Sequence, residues 1–137
     1  MNHFEYLSQP NVMYGILAAT VVYMLIGIIW YSPKVFGEMW MKLSGVKTKN
    51  IDTTKAYVGY LISALLVVTV TSCLLHRLLI NGYEASVLAA IKLWLGFIVP
   101  TLLGGVLWEG RPVKLFALNA AAHLLQLVAA AAVLSYF

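Results

Sequence analysis

The sequence predicts an all-α integral membrane protein: four transmembrane helices, plus a short interfacial amphipathic helix between spans 1 and 2. Three observations predict it. The 137 residues are 62% hydrophobic and 10% charged, whereas soluble chains carry roughly a quarter charged residues. Apolar runs of about 18 or more residues, long enough to cross a bilayer as helices, recur four times, and only Lys92 interrupts one of them. Between the first two runs, apolar residues recur at helical spacing over a stretch too short to cross.

These runs place the spans at about 12–31, 56–79, 85–108 and 113–137, and the interfacial helix at about 33–43. Together they fill a single transmembrane domain, 1–137, and leave no room for a folded extramembrane domain. Residues 1–11 read as a polar lead-in with Glu5 and no Lys or Arg. They lack the basic start of a cleavable signal peptide, so span 1 is expected to remain in the mature protein.

Pro10 and Asn11 suit the start of span 1, and Trp30 and Tyr31 at its far end favour the headgroup interface. Pro33 pushes Ser32 out of helical angles. Ser32 is therefore the expected N-cap of the interfacial helix, with Pro33 in its first position. In that helix Val35, Phe36, Met39, Trp40 and Leu43 share one side, and Lys34, Glu38 and Lys42 the other. Such a helix lies in the interface plane or packs onto its own bundle; both readings stay open.

Residues 44–55 form a solvated loop, with Asp52, Thr53 and Thr54 as N-cap candidates for span 2. Asn81-Gly82 is the expected stop of that helix. Pro100 removes a backbone donor from the middle of span 3, which predicts a kink that frees the Gly96 carbonyl. In the turn Glu109-Gly110-Arg111-Pro112, Pro112 suits the first position of span 4.

Seven of the nine basic residues (Lys34, Lys42, Lys47, Lys49, Lys55, Arg111 and Lys114) fall on the side of the first loop and third turn. Only Arg77 and Lys92 fall on the side of the termini. The positive-inside rule then places 32–55 and 109–114 in the cytoplasm and both termini outside a cell (inner) membrane. The formal charge of +4 flanks apolar spans and forms no patch on a soluble fold, so no nucleic-acid partner is expected. The expected partners are the lipid bilayer and further copies of the chain, with any small-molecule ligand left open.

The elbow Gly27, Trp30, Tyr31, Ser32, Pro33, Phe36, Gly37 and Trp40 resembles the Gly-x-x-Trp-Tyr-Ser-Pro-x-x-Phe-Gly-x-x-Trp signature of an uncharacterised family. That domain-of-unknown-function family consists of small four-span bacterial membrane proteins. The chain also resembles it in length and in the element Leu95-Gly96-Phe97 of span 3. The resemblance implies the four-span fold and a structural elbow. It brings no activity and no catalytic residues.

Ionisable residues inside a span are functional-site candidates by default. Lys92 lies about 7.5 Å from the midplane at the helical rise, close enough for its stem to carry the ammonium toward the interface and Glu84. That snorkelling competes with a transport or binding role. On span 4, Asn119, His123 and Gln126 form one polar stripe. It must face the bundle, either as interhelical hydrogen bonds or as a proton or cation path in which His123 titrates. Lys92, Gly96, Pro100, Gly104 and Trp108 recur every fourth residue on span 3, a stripe for close packing or the border of a cavity. On span 2, Thr69, Ser72 and His76 form a shorter polar face expected to meet one of these stripes. Arg77 and Glu84 near the outer face are candidates to hold an anionic headgroup.

Catalytic constellations are missing. Cys73 is the single cysteine, which excludes an intrachain disulfide and a cysteine metal cage. His3, His76 and His123 lack zinc spacing, and no phosphate loop or nucleophile elbow occurs. No metal and no cofactor are expected. Small multidrug transporters, also four-span proteins, rely on a carboxylate in span 1 that this chain lacks. Three functions follow in order: a structural, accessory or assembly module acting as a homo-oligomer; a small transporter or channel using Lys92 and the Asn119/His123/Gln126 stripe; and a lipid- or quinone-active enzyme. The enzyme question stays open, with the weight against it.

Overall fold

The computed structural model describes Met1–Phe137 as helices and turns with no strands. Four helices are long and apolar enough to cross a membrane: Pro10–Trp30 (span 1), Thr53–Arg77 (span 2), Tyr83–Glu109 (span 3) and Val113–Leu134 (span 4). This is the architecture of a multi-pass membrane protein. Because there are four crossings, the N- and C-terminal ends share one end of the bundle, the terminal side. The elbow and the 109–112 turn share the other.

Span 4 is the centre, packing against spans 1, 2 and 3 and the elbow helix, Gly37–Ser44. Of its apolar stretch, 44% is buried inside the bundle, against 6% for span 3 at the periphery. Alanines set the close approach: Ala19, Ala64, Ala90, Ala122, Ala130 and Ala131 are fully buried. Small side chains let helix backbones come together where lipid gives no hydrophobic drive. Val12, Ile16, Tyr23 and Val68 fill the main core between spans 1, 2 and 4.

Several local expectations change. The lead-in contains a short helix, His3–Leu7, closed by a reciprocal pair: Glu5 N–H donates to Asn2 Oδ1 and Asn2 N–H to a Glu5 carboxylate oxygen, both at 2.9 Å. The Asn-x-x-Glu spacing was the available signal for this capping box, but five residues carry too little periodicity to mark a helix.

The elbow helix is Gly37–Ser44, not 33–43. Ser32 does not cap it and Pro33 does not begin it, because residues 31–36 turn back on themselves first. Ser32 Oγ donates instead to the Ile29 carbonyl at 2.7 Å, and the Phe36 and Gly37 N–H groups donate to Trp30 and Ser32 carbonyls at 3.0 and 2.9 Å.

Asp52 caps span 2, accepting from Lys55 N–H at 3.2 Å. The far end stops at Arg77, ahead of Asn81-Gly82. Leu79 takes a left-handed φ of +54°, Leu79 N–H donates to His76 O, and Ile80 N–H donates to Leu75 O. That is the Schellman closure, with leucine in the position glycine usually fills.

In span 3 the proline is absorbed by a wide π turn, Trp94–Ile98, in which Val99 N–H donates to Trp94 O five residues back. Pro112 is the N-cap of span 4, one position earlier than expected.

Candidate functional site

The polar side chains predicted from sequence do not converge on one site. Asn119 accepts from the Tyr31 hydroxyl at 2.7 Å, tying span 4 to the elbow. Gln126 is 3% exposed, and its Nε2 donates to the Tyr60 hydroxyl at 2.9 Å and the Tyr23 carbonyl at 3.2 Å. The Tyr60 hydroxyl in turn donates to the Met24 carbonyl at 3.3 Å. Spans 1, 2 and 4 are therefore joined at one node. His123, one turn from each neighbour on the stripe, is half-buried and makes no hydrogen bond. Lys92 is exposed on span 3, with no hydrogen bond or ion pair to any of the three.

The elbow residues are organised around this same region. A Cβ on Gly27 would collide with the Tyr60 hydroxyl and come within 2.6 Å of Gln126 Nε2, so the node requires glycine there. A Cβ on Gly37 would collide with the Tyr31 carbonyl and lie 2.8 Å from that of Ser32, so the returning turn requires glycine as well. Two aromatic pairs pin the turn: Trp30 on Phe36, centroids 4.5 Å apart, and Tyr31 edge-on to Trp40 at 6.0 Å. Trp30 Nε1 is buried without an acceptor. Sequence reading found the elbow residues. It missed Tyr60, whose role depends on a contact more than thirty residues away in the chain.

On span 3 the stripe Lys92, Gly96, Pro100, Gly104 and Trp108 turns away from the other three spans. Gly96 and Gly104 face open space, and Trp108 is 89% exposed. The indole of Trp94, off this stripe, holds span 3 to span 4 by donating to the Ala120 carbonyl at 2.8 Å.

At the terminal side, a half-open cavity of about 260 Å³ gathers residues from all four spans and the N-terminal helix. Tyr6, Ser72, His76, Asn81, Ser86 and Ser135 supply its main polar lining. Tyr6 stacks on His76 with centroids 4.0 Å apart and planes 14° from parallel, and its hydroxyl is 2.8 Å from Ser72 Oγ. The Ser72/His76 face of span 2 thus meets the N-terminal helix and neither polar stripe, because that helix folds over the end of the bundle. Arg77 and Glu84 flank this region but are exposed, unpaired and outside the lining. A second cavity of about 40 Å³, bordered by Asn119 and Arg111, holds about one water. Neither cavity is lined by Lys92 or His123.

The chain's only ion pair, Arg111 to Glu109 at 2.9 Å, is exposed in the third turn. No group of three metal-ligating side chains comes together. Chemically, the interior arrangement holds helices in register.

No curated protein and no solved structure matches the chain. A family model described as protein of unknown function (DUF1761) matches residues 14–135, nearly all of the four-span bundle, and the chain belongs to that family.

Proposed function

We propose that the protein is a membrane assembly module acting as a homo-oligomer, with span 3 as the face between copies. The observation carrying this is the outward stripe of span 3. Gly96 and Gly104 face open space on the least buried helix, beside Pro100 and above an almost fully exposed Trp108. A glycine groove lets a second backbone approach closely, and van der Waals packing of that kind drives helix association in lipid. Lys92 stands at the terminal-side edge of the groove, where its stem reaches the headgroups.

The elbow and third turn are assigned to the cytoplasm and both termini to the outside of the cell membrane, from the distribution of basic residues. A transport path through Lys92 and the span 4 stripe draws less support, because Asn119 and Gln126 are engaged in holding helices together.

The test is mass analysis in native-like lipid discs. The wild type is expected as a discrete oligomer, and Gly104→Leu as a folded monomer. A monomeric wild type, or a Gly104→Leu/Gly96→Leu protein with unchanged mass, overturns the assignment of that face.

A further inference from the structure

We propose that the lysine-rich surface of the elbow binds the headgroups of anionic phospholipids in the membrane that the chain spans. The uneven charge of the two ends of the bundle is the first observation behind it. The elbow end holds seven basic residues against Glu38, Asp52 and Glu109, and the terminal end holds two against Glu5 and Glu84. The whole formal charge of +4 therefore lies at the elbow end. Six of the seven are lysines: Lys34, Lys42, Lys47, Lys49, Lys55 and Lys114. All six are exposed, and none is in an ion pair, since Arg111–Glu109 is the chain's only one.

The elbow helix divides its surface between the bundle and the outside. Phe36 packs on Trp30 and Trp40 on Tyr31, so these aromatics are spent on inward pairs. On the other side Val35 and Met39 are 46% and 49% exposed, with Lys34 and Lys42 beside them. Met39 and Lys42 lie three residues apart in one helix and so are neighbours on its surface. Beyond Gly45 the chain makes a single tight turn, Thr48–Asn50, and presents Lys47, Lys49 and the exposed Ile51.

Exposed apolar side chains edged by lysines are the pattern that settles a segment at the headgroup boundary. The depth agrees. The elbow follows directly on span 1, which ends at Trp30, and the loop leads into span 2 at Thr53. A surface at that level meets lipid headgroups before any other partner.

The residue type selects a fluid array of anions. Lysine is a compact charge on a flexible stem, whereas bidentate capture of a single phosphate favours the arginine fork. The one arginine at this end is engaged with Glu109. A single-stranded nucleic acid needs exposed aromatic platforms for its bases, and the elbow aromatics face inward. The proposal requires neither the oligomer nor the orientation assigned above, because anionic lipid can be supplied in both leaflets.

The experiment reconstitutes the full chain in phosphatidylcholine vesicles with an equal minor fraction of brominated phosphatidylglycerol or brominated phosphatidylcholine. Bromine quenches nearby tryptophans, and three of the four, Trp30, Trp40 and Trp108, lie toward the elbow end. Stronger quenching by phosphatidylglycerol is expected, with a preference that shrinks as salt screens it. Lys47→Gln/Lys49→Gln should lower the preference about fivefold for each lysine that reaches the headgroups. Lys34→Gln/Lys42→Gln is the second variant and should act in the same direction. All four side chains are exposed and unpaired, so the fold does not depend on them. Arg77→Gln, at the terminal end, should leave the preference unchanged. Equal quenching by the two lipids overturns the proposal and turns the face toward an acidic protein. Wild-type preference in both lysine variants, or an equal loss in Arg77→Gln, overturns it as well.

Discussion

The Tyr60 hydroxyl stands where a Cβ on Gly27 would have to be. That contact gives Gly27 a physical role: it lets span 2 reach the backbone of span 1, where Gln126 of span 4 joins it. Gly27→Ala should therefore cost about 1–3 kcal/mol as an overpacking change, with a further loss from the displaced Gln126 bonds. Tyr60→Phe removes the colliding oxygen, so the double variant should recover part of the loss. A double-mutant cycle on thermal unfolding in detergent checks this, and strictly additive costs would refute the contact.

The elbow gives a second prediction, with an order of severity. Gly37→Ala drives a methyl into the Tyr31 and Ser32 carbonyls, which are backbone atoms with little freedom to move. Pro33 is exposed within the turn and starts no helix, so Pro33→Ala should cost only about 0.5 kcal/mol, through the freer unfolded chain. Tyr31→Phe should fall between, at about 0.6–1.7 kcal/mol for one interhelical hydrogen bond. Yields of folded, assembled protein should follow Pro33→Ala above Tyr31→Phe above Gly37→Ala. A stable Pro33→Ala protein that had lost a measured activity would instead make the elbow functional.

The four spans were legible because lipid demands long apolar runs, and a charge count or a window of hydropathy sees those directly. Asp52 was legible as a cap candidate, beside Thr53 and Thr54, because its bond to Lys55 N–H is local. What sequence pattern missed is what depends on distant partners. Nothing near Gly27 announces Tyr60, and nothing near Ser72 and His76 announces that Tyr6 will fold over them. Pro33 misled because the rule for the first helical position is statistical. The Trp30 and Ser32 carbonyls capture the following N–H groups and delay the helix to Gly37. The cavity around Ser86 exists only once all four helix ends are brought together.

Leu79 supplies a third prediction. It closes span 2 at φ +54° while 79% exposed, so its side chain gives up little packing inside the protein. A left-handed conformation costs a residue with a Cβ roughly 1–2 kcal/mol. Leu79→Gly should therefore raise stability by about 1 kcal/mol, less the lipid contact and the added freedom of the unfolded chain. Asn81→Gly, outside the Schellman closure, should not. Thermal unfolding of both variants in the same detergent decides it, with destabilisation by Leu79→Gly as the contrary result.

Lys92 separates assembly from transport. It makes no hydrogen bond with Asn119, His123 or Gln126, and two of those three are committed to Tyr31 and Tyr60. A transport path needs Lys92 or His123 to meet the moving solute, so replacing either would abolish flux. An assembly role makes a different demand on the same lysine. Its ammonium must reach the headgroups from about 7.5 Å off the midplane, and a charge held at the centre of a span costs about 2.5–3.5 kcal/mol before snorkelling. Lys92→Ala should then be neutral or stabilising in thermal unfolding, and neither it nor His123→Ala should change ion or solute flux in proteoliposomes relative to wild type. Flux present in the wild type and lost in both variants, with unfolding unchanged, would establish the transporter instead.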